Sequence, residues 1–220
     1  MMRTPIEELF LSLFPETYLK KVFQGMFVAT RMALEDSHQY GPPEAVNFEW
    51  WSKRAKVQTL AHEVAAQIPG VTATPTRGDI VKSPWFHRRV QHDRAILTFH
   101  SAPNPEHIFP ESYYRRQYSV QSAQKRLIFD DEDRRDLLQP DDWIVYGMWL
   151  YGRGLEKRGE LGFSVIRFPH KTTAGYHASR IDLFKLYPAI VAQMRDRYRS
   201  DDSGKDDLDD IDFHEGEDIG

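Results

Sequence analysis

The stretch Trp143-Ile144-Val145-Tyr146-Gly147-Met148-Trp149-Leu150-Tyr151 contains no charged side chain. Aromatic and β-branched residues favour extended backbone, and the run is short for a buried helix, so 143–151 is predicted to be a strand. Alternation puts Trp143, Val145, Gly147, Trp149 and Tyr151 on one face. Ile144, Tyr146, Met148 and Leu150 fall on the other. Both sets are apolar. The strand is therefore either central and covered on both faces, or it offers one face to a partner. Residues 152–159 form a charged turn flanked by glycines, and 161–168 (LGFSVIRF) read as the antiparallel partner of a hairpin.

Upstream, 95–100 (AILTFH) reads as a strand, and 71–76 and Ile80-Val81 as shorter ones. Pro103, Pro105 and Pro110 make 101–110 a loop. Residues 112–129 are weakly helical in pattern, and Pro140 marks a turn in the polar stretch 130–142.

The first third is helical. Residues 5–14 are short and apolar, and Pro15 followed by Glu16 suits a helix start. Leu19, Val22, Phe23, Met26, Thr30, Ala33 and Leu34 make one stripe. Gly41-Pro42-Pro43 interrupts. Val46, Trp50, Val57, Leu60, Ala61, Val64 and Ile68 then make a second stripe, ended by Pro69-Gly70. Two long helices joined by a short loop pack antiparallel. At the other end, 181–198 is expected to be a closing helix with Leu183, Leu186, Ile190 and Met194 on one side. The expected architecture is α+β. An N-terminal helical hairpin packs on a mostly antiparallel sheet, with a closing C-terminal helix and a disordered acidic tail. Residues 1–200 form one domain, helical over 1–70 and sheet-containing over 71–200, and 201–220 form the tail.

Charge separates along the same boundary. Residues 201–220 hold ten acids and one lysine, leaving 28 bases against 23 acids in the body. The tail is thus −9 and the body +5. A run this acidic repels itself and has little to bury. Leu208, Ile211, Phe213 and Ile219 lie among its acids, a composition that suits docking of the tail on a basic protein partner. The chain has no cysteine, which excludes disulfides and thiolate chemistry. No apolar run approaches the ~18 residues of a membrane span, and Glu7 and Glu8 argue against a signal peptide, so a cytoplasmic protein is expected.

The basic body concentrates its charge in Arg77, Lys82, Arg88, Arg89, Arg94, Arg115, Arg116, Lys125 and Arg126. Interleaved aromatics include Trp85, Phe86, Phe99, Tyr113, Tyr114 and Tyr118. Cations that neutralise phosphates beside rings that stack on bases make DNA or RNA the expected partner. This nucleic-acid surface is assigned to those nine cations with Tyr114 and Tyr118. Two other readings stand beside it. One is a protein-binding module, of inhibitor, immunity or regulatory type, that uses Trp143, Tyr146, Trp149 and Tyr151 as anchors. The other is an enzyme acting on a phosphodiester or nucleotide, with His92, Asp93 and His100 as acid-base or metal residues.

Known catalytic patterns do not fit. His62-Glu63 lacks the second histidine of a zinc-helix motif, and no metal or cofactor is expected. No predicted strand carries the acid-x-lysine triplet of metal-dependent nucleases. His170-Lys171-Thr172 and His177-Ala178-Ser179 are too close in sequence to serve two symmetric lobes. Gly152-Arg153-Gly154 belongs to a hairpin turn and lacks the lysine of a phosphate loop. Phe10-Leu11-Ser12-Leu13-Phe14 resembles the pentapeptide that docks on bacterial sliding clamps, with Phe10 in place of the usual glutamine. Packing of an amphipathic helix on the hairpin is the preferred reading of that segment.

Overall fold

A computed structural model describes residues 3–77, 86–108, 144–153, 159–169 and 176–202. Three helices come first: α1 (Pro5–Leu13), α2 (Glu16–Ser37) and α3 (Glu44–Ala65). Strands β1 (Val71–Arg77), β2 (Phe86–His92), β3 (Ala95–Ser101), β4 (Val145–Arg153), β5 (Leu161–Pro169) and β6 (Tyr176–Asp182) follow. A short α4 (Leu183–Leu186) and α5 (Pro188–Asp202) complete the described chain. The strands form one sheet in sequence order, and every neighbouring pair is antiparallel except β3 with β4. The expected α+β architecture, with its helical hairpin, mostly antiparallel sheet and closing helix, is the observed one.

β4 is central, and both of its faces are buried. Val145, Trp149 and Tyr151 enter a large core shared with α1, α2 and α3. Tyr146, Met148 and Leu150 join Ile96, Ala102 and Val165 in a second cluster on the opposite face. Tyr146, Trp149 and Tyr151 are each fully buried. They are core side chains, so the hairpin does not present them as anchors for a partner.

α1 lies directly on β4. A Cβ at Gly147 would stand 2.9 Å from Ile166 and 3.2 Å from the Phe10 ring, so the bare backbone lets the helix approach. Phe10 stacks on Phe14 with centroids 5.4 Å apart, and both are buried. The Phe10–Phe14 segment is therefore part of the core. Gly25 plays the matching role between α2 and α3, where a Cβ would meet Leu60 at 2.6 Å.

The sheet edges are guarded. Pro75 sits in β1, which has a neighbour on one side only. On the other edge, Glu7 Oε1 accepts the backbone N–H of Arg180 in β6 at 2.9 Å.

Four expectations need correction. The stripe on α3 holds from Val57 to Ala65, but its first half buries Ala45, Glu49 and Lys53 while Trp50 is exposed. β2 was not predicted, because FHRRVQH lacks apolar alternation; it pairs with β1 and β3 through backbone bonds that need none. The closing helix begins later than residue 181: Ile181 and Asp182 belong to β6, and Tyr187 separates α4 from α5, which starts at Pro188. Asp201 and Asp202 lie in α5, so the helix enters the stretch assigned to the tail; residues 203–220 are outside the described residues. The predicted strand at Ile80-Val81 and the helix at 112–129 are also outside them. No helix among the described residues is long and apolar enough to cross a membrane.

Candidate functional site

Of the predicted basic surface, Arg77, Arg88, Arg89 and Arg94 lie among the described residues. Arg88 and Arg89 are neighbours in β2, so their side chains leave opposite faces of the sheet. Arg94 lies in the turn before β3, where its carbonyl accepts the N–H of Val145 at 2.8 Å. Arg77 pairs with Phe86 through the backbone at the far end of β1. Lys82, Tyr114, Arg115, Arg116, Tyr118, Lys125 and Arg126 lie outside the described residues.

The histidine site of the enzyme reading is not assembled. His92 shares the helix-covered face with Val90, and its Nδ1 is 2.6 Å from the carbonyl oxygen of Leu13, to which it donates from the N–H tautomer. Asp93 is in the turn with φ 48°, a left-handed conformation that short polar residues tolerate. His100 is on the opposite sheet face, where its Nε2 is 2.9 Å from Thr98 Oγ1. The three therefore converge on no common point. Among the described residues no cluster of histidine and carboxylate side chains could hold a metal ion.

A different set shares one line across the sheet. The strand register aligns Arg89, Thr98, Met148, Arg167 and Arg180 in one row across β2 to β6, on the face away from α1–α3. Neighbours in such a row are about 4.8 Å apart. In the middle of it, Thr98 Oγ1 lies 3.0 Å from the Tyr146 hydroxyl, and both residues are fully buried. Arg89 donates to Gln91 Oε1 on the same face.

At the β5–β6 end, two guanidinium groups face each other across the ladder. Like charges directly opposite repel, so such a pair needs an anion. Glu106, in the loop after β3, provides one carboxylate. Its Oε2 accepts from Arg167 Nη1 at 2.7 Å, and its Oε1 accepts from Arg180 Nη1. The Arg167 guanidinium also lies over the Tyr176 ring, 5.0 Å from its centroid. The Tyr176 hydroxyl donates to the carbonyl of His107 at 3.1 Å, which ties the Glu106 loop to β6. The Arg167 side chain is only 8% exposed, against 59% for Glu106. Its Nε is buried with no hydrogen-bond partner among the described residues.

None of these end-row residues was assigned to the predicted site. Arg167 carried a usable signal, as the lone charge inside the apolar run 161–168. Arg180 and Glu106 carried none, because only strand register and loop closure bring them to it.

A second buried polar group lies on the hairpin side. Glu49 and Lys53, one turn apart on α3, are 3% and 4% exposed. Burial pulls the Lys53 ammonium below its usual range; the Glu49 charge opposes this and Arg153 adds to it. Comparison of the chain with protein-family models, with characterised proteins and with solved structures finds no match.

Proposed function

We propose that this chain is a non-catalytic nucleic-acid-associated protein, in which a cationic body binds the phosphate backbone and the acidic C-terminal segment competes for the same surface. The supporting observation is the pair of guanidinium groups, Arg167 and Arg180, that face each other across β5 and β6. The split of −9 over 201–220 against +5 over the remainder acts in the same direction. Cations contact phosphate oxygens, and such contacts weaken steeply with salt because condensed counterions are released on binding. The acidic segment offers an internal polyanion for the same cations.

The test is titration of fluorescent single- and double-stranded oligonucleotides with the full chain and with a chain ending at Asp202. The shorter chain binds more tightly. With two phosphate contacts, the logarithm of its affinity falls with a slope of roughly −1.5 to −2 against the logarithm of salt concentration. Negligible binding by both chains at low salt overturns the reading.

One observation favours the second reading, a protein-binding module, at a different place from the hairpin. Trp50 and Trp51 are both more than a third exposed on α3, and the Arg54 guanidinium lies within 6.0 Å of each ring. Exposed tryptophan with arginine is the composition of an interface anchor. A homodimer that dissociates on Trp50→Ser substitution would support that reading; a monomer at every concentration would remove it.

A further inference from the structure

We infer that Arg167 and Arg180 form a phosphate-binding site, and that the Glu106 carboxylate occupies it in the absence of ligand. The inference deepens the nucleic-acid reading by naming the pair that grips a phosphate, and it rests on that reading for the identity of the natural ligand.

The argument begins with the mismatch between what the arginines offer and what Glu106 supplies. A guanidinium carries five N–H donors in a planar fork that suits two-point contact with an oxyanion. Here each arginine meets Glu106 through a single nitrogen and a separate carboxylate oxygen. Arg167 is more than nine-tenths buried, yet its Nε–H has no acceptor among the described residues. A buried donor without a partner is costly, and a buried guanidinium more so. Two positive groups against one carboxylate also leave an excess positive charge.

Among the described residues, the other carboxylates near that flank, Glu7 and Asp182, direct their oxygens at backbone N–H groups and not at either guanidinium. Glu7 accepts the backbone N–H groups of Thr4 and Arg180. Asp182 Oδ1 accepts those of Phe184 and Lys185 at the start of α4. A phosphate group has more acceptor oxygens and more charge than a carboxylate. It can satisfy both forks at once, with Tyr176 holding the plane of Arg167 from one side. Glu106 competes with it from an exposed loop position.

Isothermal titration of the full chain with inorganic phosphate, and separately with a short single-stranded oligonucleotide, tests this. Glu106→Gln keeps the side-chain shape and removes the competing charge, so it should tighten phosphate binding at least about tenfold. Arg180→Met should abolish phosphate binding. Arg180 is 41% exposed, so this variant keeps its fold, as its thermal midpoint will show, even if Arg167→Met does not. Phosphate binding that responds in this way while the oligonucleotide fails to bind upholds the site and removes nucleic acid as its ligand. Oligonucleotide binding that is equal in all variants, with no phosphate binding, overturns the site and leaves the nucleic-acid reading intact. No tightening in Glu106→Gln overturns the competition.

Discussion

Gln58 Nε2 donates to the carbonyl oxygen of Phe99 at 3.1 Å, while its Oε1 accepts the backbone N–H of Arg88 at 2.6 Å. The β2–β3 ladder ends where Arg89 meets Thr98, so Arg88 and Phe99 would be the next pair. A side chain from α3 takes over the rung where the strands part. This couples the helical hairpin to the sheet through polar bonds as well as apolar packing. Gln58→Leu leaves both backbone groups without that partner, at a cost of about 2 kcal/mol, and Gln58→Glu also destabilises because it loses the donor to Phe99. Urea denaturation measures both, and an unchanged midpoint in Gln58→Leu would show that the amide is dispensable.

Phe10 decides between two fates for the first helix. Its ring is fully buried, stacked on Phe14 and edge-on to Phe168 at 5.8 Å. Phe10→Ala should therefore lower stability by about 3–5 kcal/mol, the cost of truncating a core phenylalanine. A segment held out for a partner would tolerate the change. A thermal midpoint within a degree or so of the parent would move 10–14 from the core to the surface.

Alkaline pH acts on three tyrosines in the same direction. Burial pushes the Tyr18 and Tyr151 hydroxyls well above their usual range, and Tyr187 up to about 12. In the unfolded chain they ionise near pH 10. The folded state then holds more protons above that pH, so the stability they supply is complete below pH ~10 and is lost as pH rises beyond it. The Tyr151 hydroxyl is buried without a hydrogen-bond partner, whereas Tyr18 donates to the carbonyl of Ala61 at 3.1 Å. Tyr151→Phe should accordingly gain up to about 1 kcal/mol at neutral pH and flatten the alkaline loss. Denaturation curves on both sides of pH ~10 compare the two proteins; a variant with an unchanged alkaline slope would contradict this.

Hydrophobic patterning carried the fold where burial follows a simple period. The α2 stripe from Leu19 to Leu34 and the doubly apolar β4 were legible because every position in them obeys one rule. Legibility failed where polar residues do the packing. β2 is held by ladder bonds and by Gln58, and neither leaves a mark in FHRRVQH. β6 pairs through Arg167 with Arg180 and is sealed by Glu7, which is 173 residues away in the chain. The Glu106 cluster was invisible for the same reason: its three charged members come from a loop and two strands, and no local spacing joins them.

The Glu49–Lys53 pair gives the sharpest test of how α3 is seated. Periodicity placed Trp50 in the buried stripe, yet the helix turns Glu49 and Lys53 inward and leaves Trp50 exposed. Both charges are buried, and the Glu49 charge favours the Lys53 ammonium, so removing one leaves the other buried without that support. Lys53→Met alone should thus destabilise the fold by about 1–3 kcal/mol. The double substitution Glu49→Leu with Lys53→Met should recover most of that loss, so the two changes are strongly non-additive. A double-mutant cycle by chemical denaturation reads the coupling directly. Additive effects would mean that the two charges do not interact and that α3 is seated by its apolar face and the Gln58 bonds.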